Sequence, residues 1–404
     1  MPKLLQINIT ANWGSHGRIA EDIGRLAQAN GWDSYMAYGR WANPSQLPLI
    51  KIGHMADEYL HGIQSRLLDN HGLASKSATK KLLHEIDKIH PDLIHLHNIH
   101  GYYLNYPLLF HYLSENDIPV VWTLHDCWAI TGHCAYFTYV KCEEWKTGCQ
   151  LCNYKHTYPI SLLRQRSAVN YALKQKCFTS CKKMTLVPVS QWLADIIGET
   201  FLSKYPIKMI HNGVDLNVFR CPDNPTNIFE KYKGDYIILG INSKWDSRKG
   251  LSDFFKLRQL LDSRYLIVLV GLSKQQIKKL PKGIIGIERT NSVSELAQYY
   301  AAANVFVNPT YEDNFPTANI EALACGTPVI TYETGGSPEA IVEGKTGFVV
   351  PYGSVEKLAR IIKDTAEVGI LESMRASCRQ RAEQCYDKRS RYQEYMDLYQ
   401  SMIR

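Results

Sequence analysis

The chain has 404 residues, of which 45% are hydrophobic, so it can bury large cores and its length favours two domains over one. It has no uncharged apolar run of about 18 residues, and its start is too polar after Ile9 for a secretory signal, so we expect no transmembrane helix and a cytoplasmic location. The net charge of +7 is mild and fits an anionic small substrate, an acidic membrane surface or simply a basic surface.

The first half alternates apolar, strand-like runs with helical stretches. LLQINI predicts a first strand, Gly14 and Gly17 lie in the turn after it, and a helix should then run to Gly31. Further strands are predicted at SYMAYGR, DLIHLHN, PVVWTLHD and MTLVPVS. Ser190 should cap the helix QWLADII. This alternation predicts a parallel sheet with helices on both faces.

Basic residues are densest at residues 76–88, KSATKKLLHEIDK. The spacing there predicts an amphipathic helix with a cationic face. Two interpretations stay open, a solvated surface helix and a helix that contacts a membrane.

Four of the eleven cysteines cluster, and the last two of them form a C-x2-C pair: Cys134, Cys142, Cys149 and Cys152. Four thiolates would close a tetrahedral zinc shell, so we predict a structural zinc site, with His133 as a substitute ligand. An iron–sulfur cluster and free buried thiols are the alternatives. Disulfides are disfavoured in a reducing compartment.

Three histidines, His95, His97 and His100, follow one strand and the loop after it. A metal site is one interpretation of this spacing. The buried strand and the lack of an accompanying carboxylate favour packing in the core or at an acceptor site.

The alternation of strands and helices restarts after about residue 205. Strands are predicted at DYIILGINS, YLIVLVGLS, GIIGIERT, NVFVNPT, PVITYE and GFVV. Two doubly wound α/β domains are the simplest account: 1–205, with a cysteine-bearing insertion near 127–158, and 206–385. We expect a terminal helix at 386–404 to pack back on the first domain. Ligands of such sheets bind beyond the carboxyl ends of the strands, and two facing domains would form a central cleft.

The most informative stretch is residues 308–341. A strand end leads into a polar loop with Glu312 and Asp313, and a short helix with Glu321 follows. Pro316 suits the first turn of that helix and Gly326 suits its end.

A second helix start is expected directly after this stretch, with Ser337 as its N-cap after Gly335 and Gly336. Two helix N-termini would offer N–H groups to an anion, and the nearby carboxylates would accept hydrogen bonds from hydroxyls. Phosphate and hydroxyls together indicate a nucleotide sugar.

Other polar residues also follow predicted strands. They are His125, Asp126, Lys244, Arg248, Lys249, Thr290 and Asn291. Each has an ordinary structural interpretation: a strand-end histidine, a turn cap, solvated charges at a helix start, or N-cap residues.

An acid, seven intervening residues and a glutamate, followed by ALACGTPVI and GGSPE, resemble the retaining glycosyltransferases of the GT-B fold known as family 4. The N-terminal glycine loop, the His-Asp pair, Arg-Lys-Gly and NGVD match that family as well. The cysteine segment and HNIHGYYLN resemble, more loosely, a subgroup of polysaccharide-assembly enzymes.

The resemblance implies roles for the residues of the second half. Glu321 would bind ribose hydroxyls, and Asp313 would hold hydroxyls of the transferred sugar. Lys249, with Arg248 or Lys244, would neutralise the leaving diphosphate without a catalytic metal. Backbone N–H groups of the loop and helix start would hold the sugar and diphosphate, at Asn314, Phe315, Pro316 and Thr317.

In the first half, the resemblance implies that Gly14 and Gly17 approach the same phosphates and that His125 lies near the reacting sugar carbon. In the second half, Thr290 and Asn291, or the backbone near Ile287, would face the base.

The chain departs from the family at two positions. The spacing of seven residues before Glu321 selects Asp313, where the family usually has glutamate. Glu312 would then point elsewhere, towards solvent. Lys244 stands where arginine is common, and a lysine lacks the bidentate fork.

The function expected is a retaining, hexosyltransferase-type glycosyltransferase. It would move a sugar from a nucleoside diphosphate sugar to a hydroxyl of a growing, lipid-linked glycan of a capsule, exopolysaccharide or O-antigen, with peripheral contact at the inner membrane face. A transferase or sugar-phosphate synthase with a small soluble acceptor is the alternative. A zinc-containing nucleic-acid-binding protein ranks far below, because Glu143 and Glu144 oppose the few lysines near the cysteines.

Overall fold

A computed structural model describes residues 1–221, 228–229 and 236–403. They form two compact units: unit 1 comprises Met1–His211 and Arg391–Arg404, and unit 2 comprises Asn212–Ser390. The described part of the chain excludes residues 222–227, 230–235 and 404. Three predictions include some of these residues, namely the second domain, the DYIILGINS strand and the terminal helix, and those parts of them lie outside the described residues.

Unit 1 contains a six-stranded parallel sheet among its described residues, in the order β3-β2-β1-β4-β5-β6. Its strands are β1 (Lys3–Ala11), β2 (Asp33–Ala42), β3 (Leu49–Lys51), β4 (Leu93–Leu96), β5 (Val120–Leu124) and β6 (Met184–Pro188). The central strands are buried on both faces, which explains their continuous apolar sequence. The strand order reverses between β1 and β4, so ligands of this unit are expected at the carboxyl ends of those strands.

The helices of unit 1 connect these strands and cover the sheet. They are α1 (Gly14–Ala29), α2 (Met55–Leu68), α3 (Lys76–Ile89), α4 (Tyr106–Glu115), α5 (Ser167–Phe178) and α6 (Gln191–Gly198). The predicted cap of α6 is confirmed, because Ser190 Oγ accepts the Leu193 N–H at 3.1 Å.

The basic helix predicted at residues 76–88 is α3. Its apolar side, with Ala78, Leu82 and Ile86, packs into the core of unit 1, and its lysines face outwards. The structure therefore favours the solvated surface helix, because α3 has no apolar face left for a membrane.

Unit 2 repeats the architecture of unit 1. Over its described residues it has a six-stranded parallel sheet in the order β12-β11-β10-β7-β8-β9. Its strands are β7 (Tyr236–Ile241), β8 (Tyr265–Val270), β9 (Ile284–Ile287), β10 (Val305–Asn308), β11 (Val329–Tyr332) and β12 (Gly347–Val350). The order reverses between β7 and β10. The loops after these two strands are therefore where a ligand of this unit should bind.

The helices described in unit 2 surround this sheet. They are α7 (Leu251–Leu260), α8 (Lys274–Ile277), α9 (Val293–Ala302), α10 (Thr317–Ala324), α11 (Val355–Glu367), α12 (Ile370–Ser373) and α13 (Arg375–Cys385). The doubly wound α/β fold class predicted from the sequence is confirmed in each unit.

The terminal helix α14 (Lys388–Ile403) contributes to the core of unit 1. Tyr395 and Tyr399 are buried there, and both hydroxyls are hydrogen-bonded. Thr123 Oγ1 lies 3.1 Å from the Tyr395 hydroxyl, and the Tyr399 hydroxyl lies 2.6 Å from His95 Nδ1. These bonds satisfy polar groups that would otherwise be costly to bury.

None of the helices in the described ranges is both long and apolar enough to cross a bilayer.

Candidate functional site

In unit 2, the loops that follow β7 and β10 bring two cations and two carboxylates together. Lys249 Nζ lies 2.6 Å from Asp313 Oδ2 and 2.9 Å from the carbonyl oxygen of Glu312. Arg248 Nη1 lies 3.0 Å from Glu312 Oε2. The structure thus assembles three of the predicted site residues, Arg248, Lys249 and Asp313, at the point where the strand order reverses.

Local sequence explains how the loop after β7 presents these cations. Asp246 accepts the backbone N–H groups of Arg248 and Lys249 at 3.0 and 3.3 Å, which fixes a tight turn. Gly250 ends the turn with φ of +72°, and a Cβ there would lie 2.2 Å from the Pro309 carbonyl oxygen. Only glycine allows the two loops to approach this closely.

Glu312 does not point towards solvent, and that expectation was wrong. Its side chain is 5% exposed and pairs with Arg248, which also contacts Asp246 at 2.9 Å. Burial alone would lower the pKa of Arg248, but hydrogen bonds and charges from these two carboxylates raise it. Glu312 is therefore a buried partner of Arg248, whereas Asp313 remains partly exposed beside Lys249.

Helix α10 starts next to this pair. Pro316 precedes the helix as its N-cap, one position earlier than the first-turn place predicted for it, and α10 begins without a side-chain cap among the described residues. Asn314 and Phe315 are buried in the loop, and Thr317 is the first helical residue. A helix start of this kind favours negative charge.

Glu321 lies on α10 and is partly exposed. The buried Tyr300 donates its hydroxyl to Glu321 Oε2 at 3.0 Å. Burial and then this carboxylate hold the pKa of Tyr300 well above its ordinary value, so the phenol remains a donor. Tyr300 thus orients the Glu321 carboxylate.

The second helix expected after Gly335 and Gly336 is a single 3-10 turn, Ser337–Ala340, with Gly336 as its N-cap. Ser337 is inside the turn and does not cap it, so the prediction of a second helix N-terminus was wrong. The physical reason is that the Ser337 hydroxyl is engaged by Asn319 at 3.0 Å and by Thr331 at 2.7 Å.

The same hydroxyl belongs to a buried polar network that sequence reasoning missed. Asn308, at the end of β10, donates to Asn319 of α10 at 2.8 Å, and Asn319 donates to the carbonyl oxygen of Ser337 at 3.1 Å. The network fastens the start of α10 to the strand ends of β10 and β11. The signal available in the sequence was an asparagine at the end of a predicted strand, Asn308, and another inside the short predicted helix, Asn319.

The remaining predicted site residues of unit 2 are more exposed than Arg248, Lys249 and Asp313 or lie at the start of another helix. Lys244 is exposed, and Thr290 is partly exposed. Asn291 donates from its backbone and its side-chain amide to Glu295 Oε2, at 2.6 and 3.0 Å, while Ser292 caps α9. The N-cap interpretation therefore applies to Ser292, and Asn291 supports the same helix start.

In unit 1, two residues separate β1 from α1, which begins without a side-chain cap among the described residues. Gly14 has φ of +69°, and open space surrounds the position that a Cβ would take. A Cβ on Gly17 would lie 2.5 Å from Thr10 Oγ1, so this position excludes a side chain. Both glycines lie at the carboxyl end of β1, next to the reversal of strand order.

His125 stands at the end of β5 in a chain of hydrogen bonds that defines its tautomer. The Gln6 amide donates to the Ala20 carbonyl oxygen at 2.8 Å, so Gln6 Oε1 accepts from His97 Nε2 at 3.0 Å. His97 Nδ1 must then accept, and its partner is His125 Nε2 at 3.2 Å. Nδ1 of His125 consequently carries a lone pair. Burial lowers the pKa of both histidines well below the ordinary value, so both are neutral.

A second pair lies beside this chain. His100 Nε2 is 2.8 Å from Asp126 Oδ2, and Asp126 Oδ1 also accepts the Trp128 N–H at 2.9 Å. These residues and His125 line a small cavity at the carboxyl ends of β4 and β5. The turn cap predicted from the sequence for Asp126 did not include this pairing with His100.

Two histidines of the predicted triplet, His95 in β4 and His97 directly after it, are packed in the core. The rings of His95 and His97 lie 3.9 Å apart on one face of the strand, and both side chains are buried. In the described part of the chain, no group of three or more histidine, cysteine, aspartate or glutamate side chains has an arrangement that could hold a metal ion.

The four clustered cysteines lie close enough in space to influence one another. Burial, followed by the charges of Cys142, Cys149 and Cys152, raises the pKa of Cys134. Burial also raises the pKa of Cys149 to about 11. Because His133 Nδ1 lies 2.7 Å from Asp69 Oδ1, that ring is held by a carboxylate. Four cysteine thiolates are a common ligand set for structural zinc. The zinc site nevertheless stays a prediction.

Comparison with known proteins matches both halves of the chain. Residues 17–218 match the family model described as glycosyltransferase family 4, and residues 237–367 match the model described as glycosyl transferases group 1. The chain belongs to glycosyltransferase family 4. The resemblance drawn from the acid-x7-Glu spacing is thereby confirmed, and the chain is a glycosyltransferase.

This family-4 chain is similar to a curated protein over its whole length. The protein is the putative colanic acid biosynthesis glycosyl transferase WcaC of Escherichia coli (strain K12), which is 24% identical over 99% of this chain and 100% of its own length.

Solved structures share the fold of this family-4 chain. Sucrose-phosphate synthase from Thermosynechococcus elongatus aligns with a TM-score of 0.74 at 17% identity over 99% of both chains. Anabaena HepE, solved in complex with UDP, aligns with a TM-score of 0.69 at 16% identity over 99% of this chain and 100% of that one. The GT-B fold expected from the sequence is confirmed.

Proposed function

We propose that this family-4 chain is a retaining, hexosyltransferase-type glycosyltransferase that moves a sugar from a nucleoside diphosphate sugar to a hydroxyl of a growing, lipid-linked glycan. The observation that carries the proposal is the Lys249–Asp313 pair, 2.6 Å apart where the strand order of unit 2 reverses and beside the start of α10. A cation, a carboxylate and a helix start together suit a diphosphate that carries a sugar.

Lys249, with Arg248, would neutralise the charge that develops on the leaving diphosphate. Both cations are held in place before a ligand arrives, so little reorganisation accompanies the reaction. No metal is needed for this role. Asp313 would turn from Lys249 to hydroxyls of the sugar, and Glu321, oriented by Tyr300, would accept hydrogen bonds from the ribose.

In unit 1, the lone pair on His125 Nδ1 would accept a hydrogen bond from a hydroxyl of the transferred sugar. Gly14 and Gly17 would allow the backbone to approach the phosphates. The proposed setting is the assembly of a cell-surface polysaccharide, at the inner face of the plasma membrane. The full-length similarity to WcaC, whose name refers to colanic acid biosynthesis, supports it. UDP bound to the HepE neighbour supports a nucleotide donor.

Purified full-length protein, incubated with a panel of nucleoside diphosphate sugars without acceptor, should slowly hydrolyse one of them. Proton NMR of the first sugar released should show the anomeric configuration of the donor. Release of the opposite anomer would contradict retention. A panel left unconsumed, both with and without lipid-linked acceptors, would contradict the donor assignment.

A further inference from the structure

Helix α2 of unit 1 carries a row of exposed apolar side chains. Met55, Tyr59, Ile63 and Leu67 follow one another at intervals of four residues, so they share one side of the helix. Their exposures are 69%, 68%, 51% and 38%, and the neighbouring Leu60 is exposed as well. A soluble surface rarely leaves so many adjacent apolar side chains in water.

The opposite side of α2 packs against unit 1. His61, Gly62 and Ser65 are buried there, and the His61 ring bonds the Ser75 hydroxyl at 2.8 Å and the Gly72 N–H at 3.0 Å. The orientation of the helix is therefore fixed, and its apolar row cannot rotate into the core.

The segment at residues 158–166 extends this row. The Leu162 N–H donates to the Arg66 carbonyl oxygen, and the Arg166 N–H donates to Asp69 Oδ2 at 2.7 Å, so the segment is fastened to the end of α2. Leu162 and Leu163 are 52% and 71% exposed. We call α2 residues 55–67 and residues 158–166 together the α2 face.

The surroundings of the α2 face are basic, which favours an anionic partner. Residues 150–166 contain lysine and arginine but no aspartate or glutamate. Arg66 and Arg164 are exposed at the edge of the face. The acids at the start of α2 are engaged elsewhere, because Glu58 pairs with Lys51 at 2.7 Å and Asp57 accepts the His54 N–H at 2.9 Å.

We propose that the α2 face is the surface by which this enzyme docks on an anionic lipid bilayer. Its aliphatic side chains would enter the boundary between headgroups and acyl chains, and its arginines would contact the lipid phosphates. The inference rests on the proposed function, because a lipid-linked acceptor requires the enzyme to reach a bilayer.

Flotation of the full-length protein with vesicles tests the proposal, using phosphatidylglycerol with phosphatidylethanolamine as the anionic vesicles and phosphatidylcholine as the neutral ones. The protein should bind the anionic vesicles and bind the neutral ones more weakly. Ile63→Asp and Leu163→Asp should each lower the partition coefficient at least about 10-fold. Arg164→Gln should lower it about 5-fold. Val368→Asp, which changes an equally exposed apolar residue of unit 2, should leave it unchanged.

Three results would overturn the proposal. The first is a wild-type protein that does not bind anionic vesicles, and the second is Ile63→Asp and Leu163→Asp variants that bind as the wild type does. The third is a dimer that forms without vesicles and that Ile63→Asp dissociates, because the α2 face would then bind a second copy of the chain. Binding of nucleoside diphosphates, measured on the same variants, separates the two ideas. If vesicle binding fails while nucleotide binding persists, docking is refuted and the donor site is not.

Discussion

Glu312 and Asp313 are neighbours in sequence but have different surroundings in unit 2. Glu312 is buried against Arg248, and Asp313 is partly exposed against Lys249. The spacing to Glu321 selected Asp313 as the sugar-facing acid. It could not predict the burial of Glu312, because this depends on the loop after β7, which is 64 residues away in sequence.

Asp313→Asn should lower kcat/KM about 100-fold or more, because a carboxylate that acts on the reacting sugar is lost. Thermal stability should hardly change.

Glu312→Gln should keep most of the activity but lower the free energy of unfolding by about 1–3 kcal/mol, because a buried charged hydrogen bond is weakened. Steady-state kinetics and urea unfolding check both variants. An inactive Glu312→Gln beside an active Asp313→Asn would show that the acids have been exchanged in our assignment.

His97 should act as a positioning residue for His125. His97→Leu removes the acceptor of His125 Nε2, so the tautomer of His125 should no longer be fixed, and kcat should fall about 10-fold with nucleotide affinity unchanged. Nitrogen-15 NMR of labelled histidines should show a bare Nδ1 on His125 in the wild type and a mixture of tautomers in the variant. His84→Leu, at an exposed position of α3, is the control. A protonated Nδ1 in the wild type would contradict the hydrogen-bond chain.

At the level of helices and strands, the sequence predicted correctly those features that depend only on neighbouring residues in the chain. Buried parallel strands appear as continuous apolar runs, and the Ser190 cap is a local hydrogen bond. The stretch after Gly336 was mispredicted because Asn319 and Thr331, from other elements, engage Ser337. The α2 face was not foreseen either, since an amphipathic sequence does not reveal which side the fold covers.

The cysteine segment gives a prediction for the metal. Atomic absorption on chelator-treated protein should find one zinc per chain, because four thiolates drawn together around the ion would complete a tetrahedral shell. Cys149→Ser combined with Cys152→Ser should remove it, whereas Cys221→Ser, an exposed cysteine outside the cluster, should not. Zinc-free wild-type protein would favour the alternative of buried thiols. Iron with sulfide would favour a cluster.

At the scale of the whole molecule, the βαβ alternation predicted two doubly wound α/β folds, because parallel strands require helical crossovers. It did not predict the strand order. That order depends on which strands pair across the sheet, and it places the loops of Lys249 and Asp313 side by side.

Stability should fall in mild acid. Burial holds the pKa of His71, His95 and His97 well below 6.5, so these rings stay neutral in the native protein while the unfolded chain takes up protons below that pH. The unfolded state then binds more protons, so each ring lowers stability by about 1.4 kcal/mol per pH unit. Urea unfolding at pH 7.5 and 5.5 should show the loss. His111→Gln, at an exposed position, should not alter the slope. Equal stability at both pH values would contradict neutral burial.

Calorimetric titration of the full-length protein with the diphosphates of uridine, guanosine, adenosine and thymidine tests whether Lys249 belongs to a nucleoside diphosphate site. At least one diphosphate should bind with one site per chain. Lys249→Ala should weaken it at least about 10-fold, because a charged hydrogen bond is lost. Lys256→Ala, an exposed lysine of α7, should bind as the wild type does. Absence of binding by every diphosphate, or unchanged affinity in Lys249→Ala, would show that Lys249 does not belong to a nucleoside diphosphate site.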